Sequence, residues 1–184
     1  MYFNSDMRDP AILQAIAADW AGVIQDRGYT PDLIIGHAPF ATVPAFVLAT
    51  TLGVDYAYAK RNTQGRYSTS FAVRPGEKVI VVADDVVTGR STAETIEDAH
   101  HKGAAILPLV PCIANLSRRP SLEVPGFVDE MEFVAAANFE PETYRVRGDQ
   151  CQLCALGSVA LQPREGDNWA ELQAWMSDTP PLAS

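Results

Sequence analysis

Cysteine is scarce in this chain, three among 184 residues, and so small an odd number does not build a disulfide framework. Reduced thiols match a cytoplasmic compartment. Positive charge is short as well: 14 Lys and Arg stand against 23 Asp and Glu, a formal net charge of -9, which argues against a protein that coats nucleic acid or an anionic membrane. Any anionic ligand must therefore be held locally. No apolar run approaches the ~20 residues of a membrane span, and no basic leader followed by an apolar stretch opens the sequence. Internal repeats, coiled-coil heptads and low-complexity tracts are also missing. What remains is the expectation of one cytoplasmic domain over residues 1–184, because a hydrophobic content of 47% supplies a sizeable core and single cores run to ~100–200 residues.

The sequence present alternates strand and helix patterns. Asp9 and Pro10 read as an N-cap and first helical residue, followed by Ile12, Leu13, Ile16, Trp20, Val23 and Ile24 at helical spacing, with Gly28 as the stop. Asp32 to Gly36 reads as a short strand, Pro44 to Leu52 as a helix stopped by Gly53, and Val54 to Ala59 as the next strand. Arg61 to Lys78 is polar and reads as a long functional or mobile loop, with hairpin strands expected around Tyr67 and Phe71. Ala104 to Ala114 is apolar, but Pro108 and Pro111 remove two ladder donors and predict an edge or a bulge. Phe133 to Ala137 reads as a last strand, and Trp169, Leu172 and Trp175 as one face of a short helix. Such alternation implies right-handed βαβ units in a mostly parallel sheet.

The most informative segment runs from Val79 to Thr92. Val79 to Val82 reads as a strand buried on both faces, and Asp84 and Asp85 fall at its carboxyl end, where open α/β sheets bind ligands. A surface or helix-capping role is the alternative for these acids. Ser91 to Glu94 has the spacing of a capping box, which would leave the amides of Thr88 to Thr92 aimed outward with the positive end of a helix dipole, an arrangement suited to phosphate.

Strand, paired acids, apolar pair and Thr88-Gly89-Arg90-Ser91 together resemble the ribose-5-phosphate loop of the type I phosphoribosyltransferases, with one residue fewer than the family pattern between the apolar pair and Gly89. Orotate phosphoribosyltransferases are the most similar members. The resemblance implies an α/β fold with a mostly parallel central sheet flanked by helices and a small hood built from the N- and C-terminal segments. It implies a homodimer, transfer of ribose 5-phosphate from phosphoribosyl pyrophosphate (PRPP) to a nitrogenous base in nucleotide metabolism, and release of pyrophosphate. Asp84 and Asp85 would hold the ribose hydroxyls and, through water, Mg²⁺; Thr88, Gly89, Ser91 and Thr92 would hold the 5-phosphate, with Arg90 on the phosphate or in solvent. Gly36, His37 and Ala38 occupy the place of the pyrophosphate loop, where Phe40-Ala41 replaces a pair of small residues. Lys60 and Arg61 match the family's basic pair, Lys60 being a catalytic candidate; ordinary surface charge is their alternative. Tyr2-Phe3-Asn4 match aromatics that lie near the base, with Phe3 as the base contact.

Further along, Arg61 to Lys78 contains Arg66 and Arg74 but neither of the family's loop lysine and histidine. The family's Ser-Gly segment that contacts orotate lies upstream of its aromatics and is not matched here, so the base is left as orotate or a related pyrimidine. Cys151 and Cys154 resemble a Cys-pair segment of some orotate enzymes, read as a structural turn in preference to a metal site because zinc wants four ligands. His100 and His101 read as a partly solvated helix face. Two functions stay open: an enzyme of pyrimidine biosynthesis acting on PRPP and a base, or a catalytically weak or inactive PRPP- or nucleotide-binding regulatory module. Neither involves nucleic acid or membrane.

Overall fold

The computed structural model describes residues 9–70, 73–140 and 166–178, which divide between two units, Met1–Pro141 and Glu142–Ser184. The first unit opens with α1 (Pro10–Asp26), where the Asp9 side chain accepts a hydrogen bond from the Ala11 amide at 2.9 Å. That bond satisfies an amide the helix itself leaves orphaned. Leu13, Ala17, Trp20, Ala21 and Ile24 form its buried stripe, at the spacing of an amphipathic helix.

After α1 come β1 (Leu33–His37), α2 (Thr42–Leu52), β2 (Asp55–Arg61), β3 (Tyr67–Thr69), β4 (Lys78–Val86) and α3 (Arg90–His101). β5 (Ala105–Ile106), β6 (Leu109–Asn115), β7 (Ser121–Leu122) and β8 (Met131–Asn138) complete the sheet. Its order is β3-β2-β1-β4-β6-β8-β7, with β5 beside the start of β4. β3 and β7 pair antiparallel at the two edges, and the other pairings are parallel.

The period-two alternation of strands assigns each residue a face. Ile34, Ile80 and Val82 pack with Trp20, Ile24, Ala45 and Leu48 of α1 and α2. Leu33, Ile35, Val79, Val81 and Ala83 pack with Ile96 and Ala99 of α3. With both faces covered, β1 is buried throughout and β4 is buried from Val79 to Ala83, which is why these strands read as continuous apolar runs. Each fully buried Val or Ile contributes about 1.5–3 kcal/mol, enough for β4 to end in two carboxylates without losing its place in the sheet.

Gly36 sits where β1 turns into α2, and its reason is space: a Cβ there would lie 2.3 Å from the Ala41 carbonyl oxygen and 2.7 Å from Ala45 Cβ. The Ala38–Pro39 peptide in this turn is cis.

Two expectations are corrected. The segment with Pro108 and Pro111 is not at an edge, since β6 is fully buried between β4 and β8. The bulge half of that expectation holds. Val79 pairs Ile106 and Ala83 pairs Cys112, so β4 spans the interval with residues 80–82 and the other strand with 107–111; both prolines fall in this excess, where the β4 ladder is interrupted.

Within the Arg61 to Lys78 segment, the hairpin strand expected around Tyr67 is present as β3. Asn62 Oδ1 accepts from the Gln64 and Arg66 amides at 2.9 and 3.1 Å, closing a tight turn into β3, which pairs with β2 in register Lys60↔Ser68.

The capping box does not form. Helix α3 starts at Arg90, one residue before Ser91, with Gly89 as N-cap at φ 76° and no side-chain cap. A residue with a Cβ is disfavoured in that left-handed conformation, and here the Cβ would meet Leu122 Cδ1 at 2.5 Å.

In the second unit, α4 (Asn168–Asp178) starts with the Ala170 and Glu171 amides on the Asp167 carbonyl. The segments expected to form the hood, with Tyr2-Phe3-Asn4, Cys151, Cys154 and Pro163, lie outside the described residues, as does Phe71.

Candidate active site

The carboxyl ends of β1 and β4 diverge around a cavity of about 250 Å³, lined by His37 to Phe40 after β1, Tyr67 of β3, Asp84 and Asp85 of β4, and Val87 to Thr92 leading into α3. Pockets for drug-sized ligands run ~300–1,000 Å³, so this one matches a sugar phosphate more closely than a large ligand. Both acids face it. Burial pushes the Asp84 carboxyl above its usual range, and Asp85 is raised by burial and then by the charge of Asp84. Two carboxylates so placed accept hydroxyl donors or share a cation.

Across the cavity lies the start of α3. The Ala93 amide makes the first intrahelical bond, to the Gly89 carbonyl at 2.8 Å, so the Ser91 and Thr92 amides precede the helical ladder at the positive end of the dipole. Thr88 Oγ1 accepts from the Arg90 amide at 3.4 Å. Arg90 extends along the helix, its Nε donating to Glu94 Oε1 at 2.8 Å. Acids on one side and a helix mouth on the other suit a ligand with hydroxyls at one end and an anion at the other.

His37 and Ala38 of the expected pyrophosphate loop line the cavity, together with Phe40. Gly36 does not; it is packed beneath the turn against Ala41 and Ala45. Lys60 and Arg61 are exposed and do not line the cavity. Arg61 is nonetheless close to its wall: the guanidinium lies 4.6 Å from the Tyr67 ring centroid and donates to the Gly65 carbonyl. Arg66 pairs with Glu97 of α3 at 2.6 Å and Arg74 with Asp55 at 3.5 Å, so both arginines of the segment that lacks Lys and His are engaged away from the acids.

Sequence reasoning missed two residues that organise this site, Tyr67 and Glu94, and placed His37 only in the pyrophosphate loop. Tyr67, placed only in a hairpin strand, donates its hydroxyl to the Ala38 carbonyl at 3.0 Å, while its amide donates to Glu94 Oε2 at 3.2 Å. Glu94, given to the capping box, is buried and joins β3 to the first turn of α3 through that amide and Arg90. The signal for it was the i,i+4 spacing of Arg90 and Glu94. His37 carries a side chain buried against Tyr67, with ring centroids 5.3 Å apart. Its imidazole is pushed down to about 4, chiefly by burial.

Elsewhere, His100 packs on Phe127 and His101 Nδ1 meets the Glu97 carbonyl at 2.6 Å, both side chains being largely exposed. Buried Cys112 has its thiol pushed up to about 12 by desolvation. No cluster of three His, Cys, Asp or Glu side chains forms a metal site among the described residues. No helix among them is long and apolar enough to cross a membrane.

No family model matches the chain. It is similar in sequence to the orotate phosphoribosyltransferase of a Nitratiruptor species, 27% identical over 171 residues, covering 88% of this chain and 83% of that protein. The orotate phosphoribosyltransferase of Carboxydothermus hydrogenoformans is 28% identical over 156 residues, covering 84% and 77%. Among solved structures, the orotate phosphoribosyltransferase from Aeropyrum pernix superposes with a TM-score of 0.58 at 19% identity, covering 75% of this chain and 77% of that one. The adenine phosphoribosyltransferase from Leishmania tarentolae gives 0.60 at 14% identity, covering 74% and 75%. In fold the chain is an α/β domain of the type I phosphoribosyltransferase kind, and in sequence it is similar to orotate phosphoribosyltransferases over most of their length.

Proposed function

We propose that the chain transfers ribose 5-phosphate from PRPP to orotate or a related pyrimidine base and releases pyrophosphate, as a cytosolic homodimer acting on small molecules and without nucleic acid or membrane partners. The observation that carries this reading is the single cavity shared by Asp84, Asp85 and the Thr88 to Thr92 turn. In the transfer, the bond from the anomeric carbon to pyrophosphate breaks and a bond to the base nitrogen forms, leaving the sugar electron-poor in between. Stabilising that charge is chiefly electrostatic. Asp84 and Asp85 hold the ribose hydroxyls and place negative charge beside the sugar; the amides of Ser91 and Thr92 and the Thr88 hydroxyl hold the 5-phosphate.

The main chain of His37 and Ala38 faces the pyrophosphate, Gly36 serving only to let the turn pack closely, and Lys60 and Arg61, exposed at the end of β2, supply positive charge to it from outside the cavity wall. Two adjacent carboxylates, Asp84 half-buried and Asp85 exposed, with no third ligand among the described residues, suit Mg²⁺, which keeps several waters and takes few protein carboxylates. Asp84 and Asp85 would hold the ion, and the chemistry it would supply there is neutralisation of the leaving group's charge.

A second reading, a module that binds PRPP or a nucleotide with little or no turnover, is favoured by the engagement of Arg66 and Arg74 with Glu97 and Asp55. Incubating the chain with PRPP, Mg²⁺ and a panel of bases, scored by pyrophosphate release, separates the two. Release that depends on orotate or a related pyrimidine supports the enzyme. PRPP binding by calorimetry with no release for any base supports the module, and no binding at millimolar PRPP counts against both.

A further inference from the structure

His37 ends β1 with an imidazole almost sealed from solvent, and its Nε2 has no hydrogen-bond partner. Facing that nitrogen is the Asp84 carboxylate, with Oδ1 at 3.8 Å, about an ångström beyond bonding distance. Buried polar nitrogens are almost always bonded, and an apolar residue would serve packing at this position as Leu33 and Ile35 do on the same face of the strand.

The ring itself is clamped. It lies against Tyr67 with planes inclined 55°, and Tyr67 is tied by its hydroxyl to Ala38 and by its amide to Glu94. The movable partner is the carboxylate, a short side chain at the half-buried end of β4.

We propose that His37 is a positioning residue for Asp84: its Nε2–H takes one carboxylate oxygen and turns the other into the cavity to receive a sugar hydroxyl. This rests on the phosphoribosyl reading above. The hydrogen belongs on Nε2 because the lone pair of the other tautomer would face the carboxylate's charge. A phosphate oxygen has no hydrogen to donate to Asp84, so the contribution of His37 is confined to the hydroxyl end of the ligand and is absent at the phosphate end held by the Thr88 to Thr92 turn.

Calorimetric titration of the full chain with Mg²⁺ tests this, with ribose 5-phosphate, its 2-deoxy and 3-deoxy analogues, and inorganic phosphate as ligands. Wild type should favour ribose 5-phosphate over at least one deoxy analogue by about tenfold, since a site built around a hydroxyl rejects the ligand that lacks it. His37→Phe keeps a ring and removes the donor; it should cut that ratio to about threefold or less while inorganic phosphate binds as before. His37→Gln, whose amide carries an N–H, should restore most of the ratio. If His37→Phe does not fold, His37→Leu carries the same comparison.

A wild-type chain indifferent to the deoxy substitutions, a wild-type ratio in His37→Phe, or a loss shared equally with inorganic phosphate overturns the assignment and leaves the phosphoribosyl reading standing. Failure of wild type to bind either ribose 5-phosphate or phosphate at millimolar concentration overturns both.

Discussion

Adding one methyl group at either of two glycines should change stability in opposite directions. At Gly36 the added Cβ would sit 2.3 Å from the Ala41 carbonyl oxygen and 2.7 Å from Ala45 Cβ. The first obstacle is main chain, so relief requires β1 and the start of α2 to part by roughly an ångström in the middle of the core. Overpacking typically costs about 1–3 kcal/mol, occasionally more, and the rigid neighbour places Gly36→Ala near 3 kcal/mol. Gly22 lies inside α1, where a Cβ would meet nothing within 4 Å; Gly22→Ala should gain about 0.5–1 kcal/mol from helix propensity and reduced freedom of the unfolded chain.

Urea unfolding followed by circular dichroism reads both. With an m-value of about 2 kcal/mol/M, typical of small proteins, the midpoint should fall by about 1.5 M for Gly36→Ala and rise by a few tenths of a molar for Gly22→Ala. A loss under about 1 kcal/mol at Gly36, or the same sign at both positions, would refute the claim that space at the β1 to α2 turn dictates the glycine.

Other outcomes follow from the site. Both acids titrate above their usual range, so the native chain keeps protons that the unfolded chain has released, and stability falls as pH rises past the ordinary carboxylate value of about 4. Asp84→Asn with Asp85→Asn should therefore leave the ligand-free unfolding midpoint at pH 7 equal or higher. Pyrophosphate release should drop by at least about 100-fold, and a lower midpoint with activity retained would contradict both roles.

Glu94 behaves oppositely: burial pushes it up, but hydrogen bonds from Arg90 and the Tyr67 amide outweigh this and hold it below its usual range. Its contribution is present above the unfolded value of about 4.3 and is lost as pH falls through the lower native one. Glu94→Ala should cost about 1–3 kcal/mol at neutral pH, with the gap to wild type closing on acidification in parallel urea titrations. Tyr67→Phe, which removes only the bond to the Ala38 carbonyl, should cost about 0.5–1.5 kcal/mol by the same measurement.

Local chemistry by itself determined a great deal here. Asp9-Pro10 starts a helix because its capping bond closes within two residues; Val79 to Ala83 is an interior strand because a short, β-branched apolar run fits a sheet covered on both faces; acids at the end of that strand face a cavity because strand ends in parallel sheets open onto one. Each rests on near neighbours in sequence, so the chain spells it out. Tertiary structure decided what depends on distant partners. Ser91 and Glu94 have the spacing of a capping box, yet the Tyr67 amide, 27 residues upstream, claims Glu94, and Leu122 crowds the N-cap position from the far edge of the sheet. Pro111 looks unfit for an interior strand until the two-residue excess opposite residues 80–82 accommodates it. His37 becomes more than part of a turn only when folding brings β1 beside β4 and sets its nitrogen opposite Asp84. Such pairings are chosen by packing across the sheet, where sequence separation carries no information about distance.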